Sequence, residues 1–331
     1  MIPMFSGKSI LITGGTGSFG KAFTRFLLEN TDAKKIIVFS RDELKQYHMQ
    51  KELSDPRLRF FICDVRDLPR LQRAFSGVDI VIHAAALKQV PAMEYNPSEA
   101  VKTNILGSQN VVDAAIDQGV EKALLISTDK AVYPINLYGS TKLCAEKLFI
   151  SGNALGGNTT KFSVARYGNV IGSRGSIIDV LMREKNLARV QITDEAMTRF
   201  WIHMEQALQL VLFSLEQMEG GEIFIPKIPS MKLVDLFDTL APNVPREIVG
   251  LRPGEKIHEM LFTEHEARRA YDVGSYFAIL PEFNFWADSA YQKYGSLGSK
   301  LVEVVSYSSH TNTVWLTKEA LAEIVSKLVI V

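Results

Sequence analysis

The chain has 331 residues, 47% of them hydrophobic and 22% charged, enough to bury a full core and to form one large α/β domain with a smaller one beside it. Lysine plus arginine equals aspartate plus glutamate at 37 each, so no global charge draws the protein to nucleic acid or an anionic membrane, and any phosphate recognition must be local. No apolar run reaches the ~18 residues of a membrane span, the first strand starts too early to leave room for a signal peptide, and the two cysteines lack metal-ligand spacing; a cytoplasmic protein without a metal site is expected.

Residues 8–13 read as a short, apolar and β-branched strand that runs into Gly14-x-x-Gly17-x-x-Gly20 and then into a helix pattern with Ala22, Phe23, Phe26 and Leu27. Glycines in that place let the backbone, with Thr16, Ser18 and Phe19 between them, turn tightly against a pyrophosphate while the helix N-terminus faces its charge. A second strand, 35–39, lies at the right distance for a dinucleotide-binding βαβ unit. At its end, where NAD sites usually carry an acid for the ribose 2′-hydroxyl, stand Ser40, Arg41, Asp42 and, a turn on, Lys45. Arg41 favours a 2′-phosphate and hence NADP as cofactor; the alternative is a solvated arginine at the start of a helix capped by Ser40 or Asp42. A third strand, 59–62, ends in Cys63, Asp64 and Val65, where adenine is expected. A fourth, 79–83, ends in Ala84, Ala85 and Ala86, small residues that leave room for the cofactor.

The fifth strand, 122–127, opens the segment that carries the chemistry. It leads to Thr128, Asp129 and Lys130, a hydroxyl, an acid and a base, and then to a helix over 137–150 with Tyr138 and Lys142 four residues apart on one face. A lysine ammonium beside the phenol favours the phenolate and lowers a pKa that starts near ~10, so Tyr138 can take a proton from an alcohol while hydride leaves the same carbon. Alone, Tyr-x-x-x-Lys is a common surface pair and Asp-Lys a common helix entry. Their position after a strand and downstream of the glycine turn points to catalysis. On an extended strand end Asp129 and Lys130 would point to opposite sides, which suits an acid and a base working on different atoms. As a base, Lys130 needs its pKa lowered from ~10.4 toward ~7.

Strand 161–166 completes an alternation that implies a Rossmann-type doubly wound parallel sheet with helices on both faces. The pattern loosens over 168–176, and a helix over 203–218 and a strand over 222–225 rejoin the sheet. Residues 1–170 are thus expected to bind the cofactor and 171–331 mainly to form a smaller substrate-binding domain, with the cleft between them. Candidate cations and amides for substrate phosphates are Arg199, Arg252 and the Arg174-Gly175-Ser176 loop.

Several longer stretches go further: Phe39-Ser-Arg-Asp-Glu-Leu-Lys45, Ser127-Thr-Asp-Lys130, Pro134-Ile-Asn-Leu-Tyr-Gly139, Met197-Thr-Arg-Phe-Trp201, Pro226-Lys-Ile-Pro-Ser-Met231 and Arg252-Pro-Gly-Glu-Lys256. With the glycine turn, Asn104-x-x-Gly107 and Tyr138-x-x-x-Lys142, the chain resembles the inverting UDP-N-acetylglucosamine 4,6-dehydratases of the extended short-chain dehydrogenase/reductase superfamily over nearly its whole length. The resemblance implies UDP-N-acetylglucosamine as substrate and UDP-2-acetamido-2,6-dideoxy-β-L-arabino-hexos-4-ulose as product, the first step of pseudaminic acid biosynthesis. Hydride leaves C4 and returns at C6, water is lost across C5–C6, and C5 inverts. It gives Tyr138, Thr128 and Lys142 to oxidation at C4, Lys130 to the C5 proton and Asp129 to the departing C6 hydroxyl. It adds Lys88, Asn169 and Glu255 to the substrate-binding residues, with Glu255 at the uridine ribose, and it implies a homo-oligomer, dimer or hexamer. Ala131-Val-Tyr-Pro134 is similar to a branch of dehydratase/epimerases that has methionine in place of Tyr138. Retaining 4,6-dehydratases carry Thr-Asp-Glu, 4-epimerases lack the acid–base pair, and non-catalytic NADP(H)-sensing Rossmann proteins usually lack the Tyr-Lys pair.

Overall fold

The alternating apolar segments become strands of one ten-stranded sheet in the computed structural model, which describes residues 2–157, 159–184, 188–283 and 288–328. The first six strands are β1 (Ser9–Thr13), β2 (Lys35–Ser40), β3 (Leu58–Ile62), β4 (Ile80–His83), β5 (Lys122–Thr128) and β6 (Lys161–Tyr167). All of β1 and β4 is buried, as expected of parallel strands covered on both faces. The covering helices are α1 (Ser18–Asn30), α2 (Glu43–Glu52), α3 (Leu68–Phe75), α4 (Gly107–Asp117) and α5 (Leu137–Leu155). Phe23 and Leu27 of α1 and Phe149 of α5 lie wholly inside the core.

After β6 the chain forms β7 (Asn169–Val170), β8 (Thr198–Ile202), α6 (Met204–Gln217), β9 (Ile223–Pro226) and β10 (Ser230–Lys232). In the large sheet the order β9-β6-β5-β4-β1-β2-β3 is parallel throughout. Because β1 lies between β2 and β4, the winding reverses there, and a crevice opens at the C-terminal ends of those strands.

The helix expected over 137–150 runs on to Leu155, and α6 with β9 is the expected return to the sheet. Three further strands join beyond that return: β11 (Ala270–Asp272), β12 (Tyr276–Ile279) and β13 (Ser299–Lys300), all added antiparallel. Strands of two to four residues show too few alternations to be read from sequence. Much of the remaining C-terminal half surrounds a second core of Ile178, Trp201, Met231, Leu236, Phe237 and Leu321, beside the small sheet β10-β8-β7. A buried triad spans the two halves: Arg166 on β6 bonds Glu146 of α5 at 2.6 Å, Glu266 at 3.0 Å and the Leu261 carbonyl at 2.9 Å. Among the described residues, no helix is long and apolar enough to cross a membrane.

Candidate active site

The crevice at the strand reversal widens into a cleft of about 880 Å³. One wall is the glycine turn. Gly14 has φ +65°, and a Cβ there would sit 2.8 Å from the Ala85 amide nitrogen, so only glycine permits this approach of β1 to β4. Gly17 starts α1 without a side-chain cap, and Gly17, Ser18, Phe19 and Gly20 line the cleft, which leaves the first-turn amides of α1 for an anionic ligand. Thr16 and Ser40 pair through their hydroxyls at 2.8 Å. Asp42 caps α2 by accepting from the Lys45 amide and also meets the Lys45 ammonium at 2.6 Å, while the half-exposed Arg41 lines the cleft 3.2 Å from Asp64. Ala84, Ala85 and Val65 line it too. Asp64 does not: its carboxylate is taken up by Arg66 and Arg41. This donor set, close-approaching backbone plus a free helix N-terminus at the strand reversal, fits a nicotinamide dinucleotide.

The opposite wall begins where β5 ends. Residues Asp129–Ala131 form one turn of 3-10 helix instead of the expected extended end, and the difference matters. The turn brings Lys130 Nζ to 2.9 Å from Asp129 Oδ1 and 3.1 Å from Asn169 Oδ1, so acid and base meet where an extended strand would separate them. The expected lowering of the Lys130 pKa does not occur. Burial pushes it down, but the Asp129 and Glu259 carboxylates outweigh burial and the opposing charge of Arg199, and leave it above the ordinary lysine value. Asp129 itself is fully buried and does not line the cleft; Oδ1 accepts from the Thr128 hydroxyl at 2.9 Å, and Oδ2 accepts no hydrogen bond from the described residues.

Asn136 caps α5 by accepting from the Gly139 amide, which sets Tyr138 in the first turn and Lys142 in the second, and both line the cleft. Burial raises the Tyr138 pKa; the Lys130 charge and a hydrogen bond with Thr128 pull against it without cancelling it. The Lys142 ammonium donates to the Ile126 carbonyl at 2.8 Å, and burial lowers its pKa to about 8. The pull on the phenol therefore comes from Lys130 and Thr128, not from Lys142 as the four-residue spacing suggested.

The third side carries most of the residues expected to bind substrate. Arg174, Gly175 and Ser176 lie over the N-terminus of α1, with the Arg174 amide donating to Ser18 Oγ at 3.1 Å and Lys88 Nζ reaching the Arg174 carbonyl at 2.9 Å. Asn169 and Glu255 line the cleft, as does Arg199, whose guanidinium is held by the carbonyls of Thr198, Lys256 and Ile257. Arg252 does not; it is half exposed and donates to Gln191 at 3.0 Å. Sequence reasoning missed two neighbours of Lys130: Glu259, buried 3.8 Å away, and Lys256, 3.5 Å beyond that. Lys256 ends a stretch that carried the family resemblance, which was its only signal. A second hollow of about 830 Å³, beside Phe262, Phe277 and Tyr307, contains none of the expected residues. Among the described residues, no cluster of His, Cys, Asp and Glu is placed to hold a metal ion.

A family model described as polysaccharide biosynthesis protein matches residues 10–281. The inverting UDP-N-acetylglucosamine 4,6-dehydratase of Campylobacter jejuni is 50% identical over 329 residues, 98% of each chain. A UDP-glucose 4-epimerase of Rickettsia canadensis is 41% identical over 335 residues, 98% of this chain and 97% of its own. The X-ray structure of Pen from Bacillus thuringiensis superposes with a TM-score of 0.89 at 36% identity, covering 99% of each chain. The chain thus belongs to the polysaccharide biosynthesis protein family and, within it, to the inverting UDP-N-acetylglucosamine 4,6-dehydratases.

Proposed function

We propose that the protein converts UDP-N-acetylglucosamine to UDP-2-acetamido-2,6-dideoxy-β-L-arabino-hexos-4-ulose, with NADP as its resident cofactor. The observation that carries this reading is the convergence of Thr128, Lys130 and Tyr138 on one cleft wall, with Asp129 hydrogen-bonded behind them. A tyrosine and a threonine serve oxidation at C4. An acid–base pair beside them serves loss of the C6 hydroxyl, a step that a 4-epimerase does not perform.

Tyr138 removes the O4 proton as its phenolate, its own proton having been released to water, with Thr128 hydrogen-bonded to the phenol oxygen and the Lys130 charge nearby favouring the ionised form. When bound, the nicotinamide supplies the acceptor for the C4 hydride and its donor at C6. The C4 ketone acidifies C5–H, and Lys130 takes that proton. For this Lys130 must first be an amine, and its 2.9 Å contact lets its proton pass to Asp129, turning an ion pair into a neutral acid and a neutral base. Asp129 has no face on the cleft, so its proton reaches the C6 hydroxyl by way of Thr128 or Lys130. A proton arriving on the other face of C5 inverts that centre.

Arg41 supports the choice of NADP, standing at the end of β2 where a 2′-phosphate would meet it. On the same reading residues 1–170 mainly hold the cofactor and 171–331 mainly the sugar nucleotide, contacts being made by Lys88, Asn169, Arg174, Arg199 and Glu255. The protein works in the cytoplasm as a homo-oligomer, and its product enters pseudaminic acid biosynthesis.

Proton NMR of an incubation with UDP-N-acetylglucosamine in heavy water tests the proposal. The L-arabino 4-ketone should form without net build-up of reduced cofactor, with deuterium at C5 and the former C4 hydrogen at C6. The identity to a named 4-epimerase favours a second reading, and the same spectrum decides it: UDP-N-acetylgalactosamine as sole product would replace the dehydratase with an epimerase.

A further inference from the structure

Glu259 is a buried carboxylate that no step above uses. Its backbone is fixed from both sides: the amide donates to Ser309 Oγ at 2.9 Å, and the carbonyl accepts from the Ser309 amide at 2.8 Å and from Ser308 Oγ at 3.3 Å. The side chain is 4% exposed, with Oε1 3.8 Å from Lys130 Nζ and Oε2 3.5 Å from Lys256 Nζ, and Oε2 accepts no hydrogen bond from the described residues. Lys256 in turn donates to the carbonyl of Val132, in the loop that follows Lys130, at 2.5 Å. A carboxylate buried this deeply is costly unless paired, and nothing in the backbone requires one here.

Asp129, Lys130, Glu259 and Lys256 together carry two negative and two positive charges. If the Lys130 proton passes to Asp129, that couple becomes neutral and the remaining couple, Glu259 with Lys256, balances itself. The state from which Lys130 takes the C5 proton is therefore free of an uncompensated buried charge, and once Lys130 holds that proton its charge is matched by the substrate enolate until Asp129 gives its own proton to the C6 hydroxyl. We propose that Glu259 and Lys256 form a charge pair that holds Lys130 in place and sets how readily it gives up its proton, which makes Glu259 a positioning residue for the elimination half of the reaction. The inference rests on the reading of Lys130 as the base at C5. Other groups facing Lys130 are Tyr138 on the same wall, Arg199 and, from the loop after β4, Lys88. Arg199 and Lys88 repel its ammonium, Tyr138 is neutral until it ionises, and none of them supplies the second negative charge.

The pair predicts shifts of opposite sign, which a merely structural role does not. Without Glu259 the ammonium loses an attractive charge; without Lys256 the same carboxylate acts on it unscreened. In full-length protein with 13C-labelled lysine side chains, the Lys130 signal, assigned through Lys130→Arg, is titrated without substrate. Glu259→Gln should move its midpoint down by roughly one pH unit or more, and Lys256→Met should move it up. The basic limb of the pH profile for deuterium incorporation at C5 should follow in the same directions. If Glu259→Gln does not fold, Lys256→Met decides alone. Shifts of the same sign, or none, overturn the proposal. If Lys130→Ala still incorporates deuterium at C5, the assignment of the base fails instead, whatever the titrations give.

Discussion

If Tyr138 and Lys130 divide the chemistry as proposed, removing each should arrest the reaction at a different point. Tyr138→Phe should lower turnover by ~10²–10⁴ and leave no reduced nicotinamide on the first turnover, because the O4 proton has no acceptor. Lys130→Ala should form reduced nicotinamide and stall before loss of the C6 hydroxyl. Single-turnover absorbance in the reduced-nicotinamide band distinguishes the two, and normal turnover in both variants would remove this wall from catalysis. On the proposed reading of NADP as cofactor, Arg41 would make a separate, smaller contribution. Arg41→Ala should erode the preference for NADP over NAD by roughly 1–3 kcal/mol, nearer the low end because the side chain is half exposed. Calorimetric titration of both cofactors measures it, and equal affinities in the unaltered protein would leave Arg41 no role in selection.

At the scale of the element, the turn between β5 and α5 is the part that most needs its neighbours. Tyr133 has φ +41°, an uncommon conformation for a bulky side chain, and contacts with the C-terminal half hold the loop. The Tyr133 hydroxyl donates to Glu264 at 2.8 Å, Lys256 donates to the Val132 carbonyl, and Asn136 Nδ2 donates to the Gly254 carbonyl at 2.8 Å. Gly139 closes the turn against α5, where a Cβ would lie 2.1 Å from the Lys130 carbonyl oxygen. Gly139→Ala should therefore cost roughly 1–3 kcal/mol in urea unfolding and reduce activity further by displacing Lys130 from Tyr138. Unchanged stability would mean that the helix does not need this approach.

At the scale of the molecule, a buried ion-pair triad and a buried neutral histidine contribute to stability. Arg166 sits between Glu146 and Glu266 and joins the sheet to the C-terminal half; Arg166→Met leaves two carboxylates unpaired and should cost about 3–5 kcal/mol by denaturant titration. His83 gives the pH dependence. It is wholly buried, with Nδ1 2.7 Å from Thr13 Oγ1 and Nε2 3.1 Å from Ser108 Oγ. Burial, and to a lesser degree Lys142, brings its pKa down to about 3. The unfolded chain takes up this proton near pH ~6.5 and the folded one does not, so stability present above that pH is lost on acidification toward 3, by at most about 1.4 kcal/mol per unit. His83→Gln should flatten that slope in urea unfolding at pH 7, 6 and 5. An unaltered slope would place the acid sensitivity elsewhere.

The glycine turn, the parallel alternation and the Thr128–Lys142 segment were legible in the sequence because each is local: a period of two, a helix spacing, or glycines between a strand and a helix. The same locality explains what stayed hidden. Whether Asp129 and Lys130 point apart or together depends on one turn of 3-10 helix, and the loop leading out of that turn is held by Gly254, Lys256 and Glu264, more than a hundred residues away in the chain. Arg252 and Asp64 carry suitable charge yet lie off the cleft, since Gln191 and Arg66 engage them first. Glu259 shows no sequence signal, because a glutamate becomes part of a lysine's environment only when folding brings it within 3.8 Å and shuts out water. Chain-local patterns determined the parallel part of the fold, the glycine turn and the order of the candidate catalytic groups; tertiary packing decided their charges, because Coulomb interactions depend on distances and burial that exist only once both halves close around the cleft.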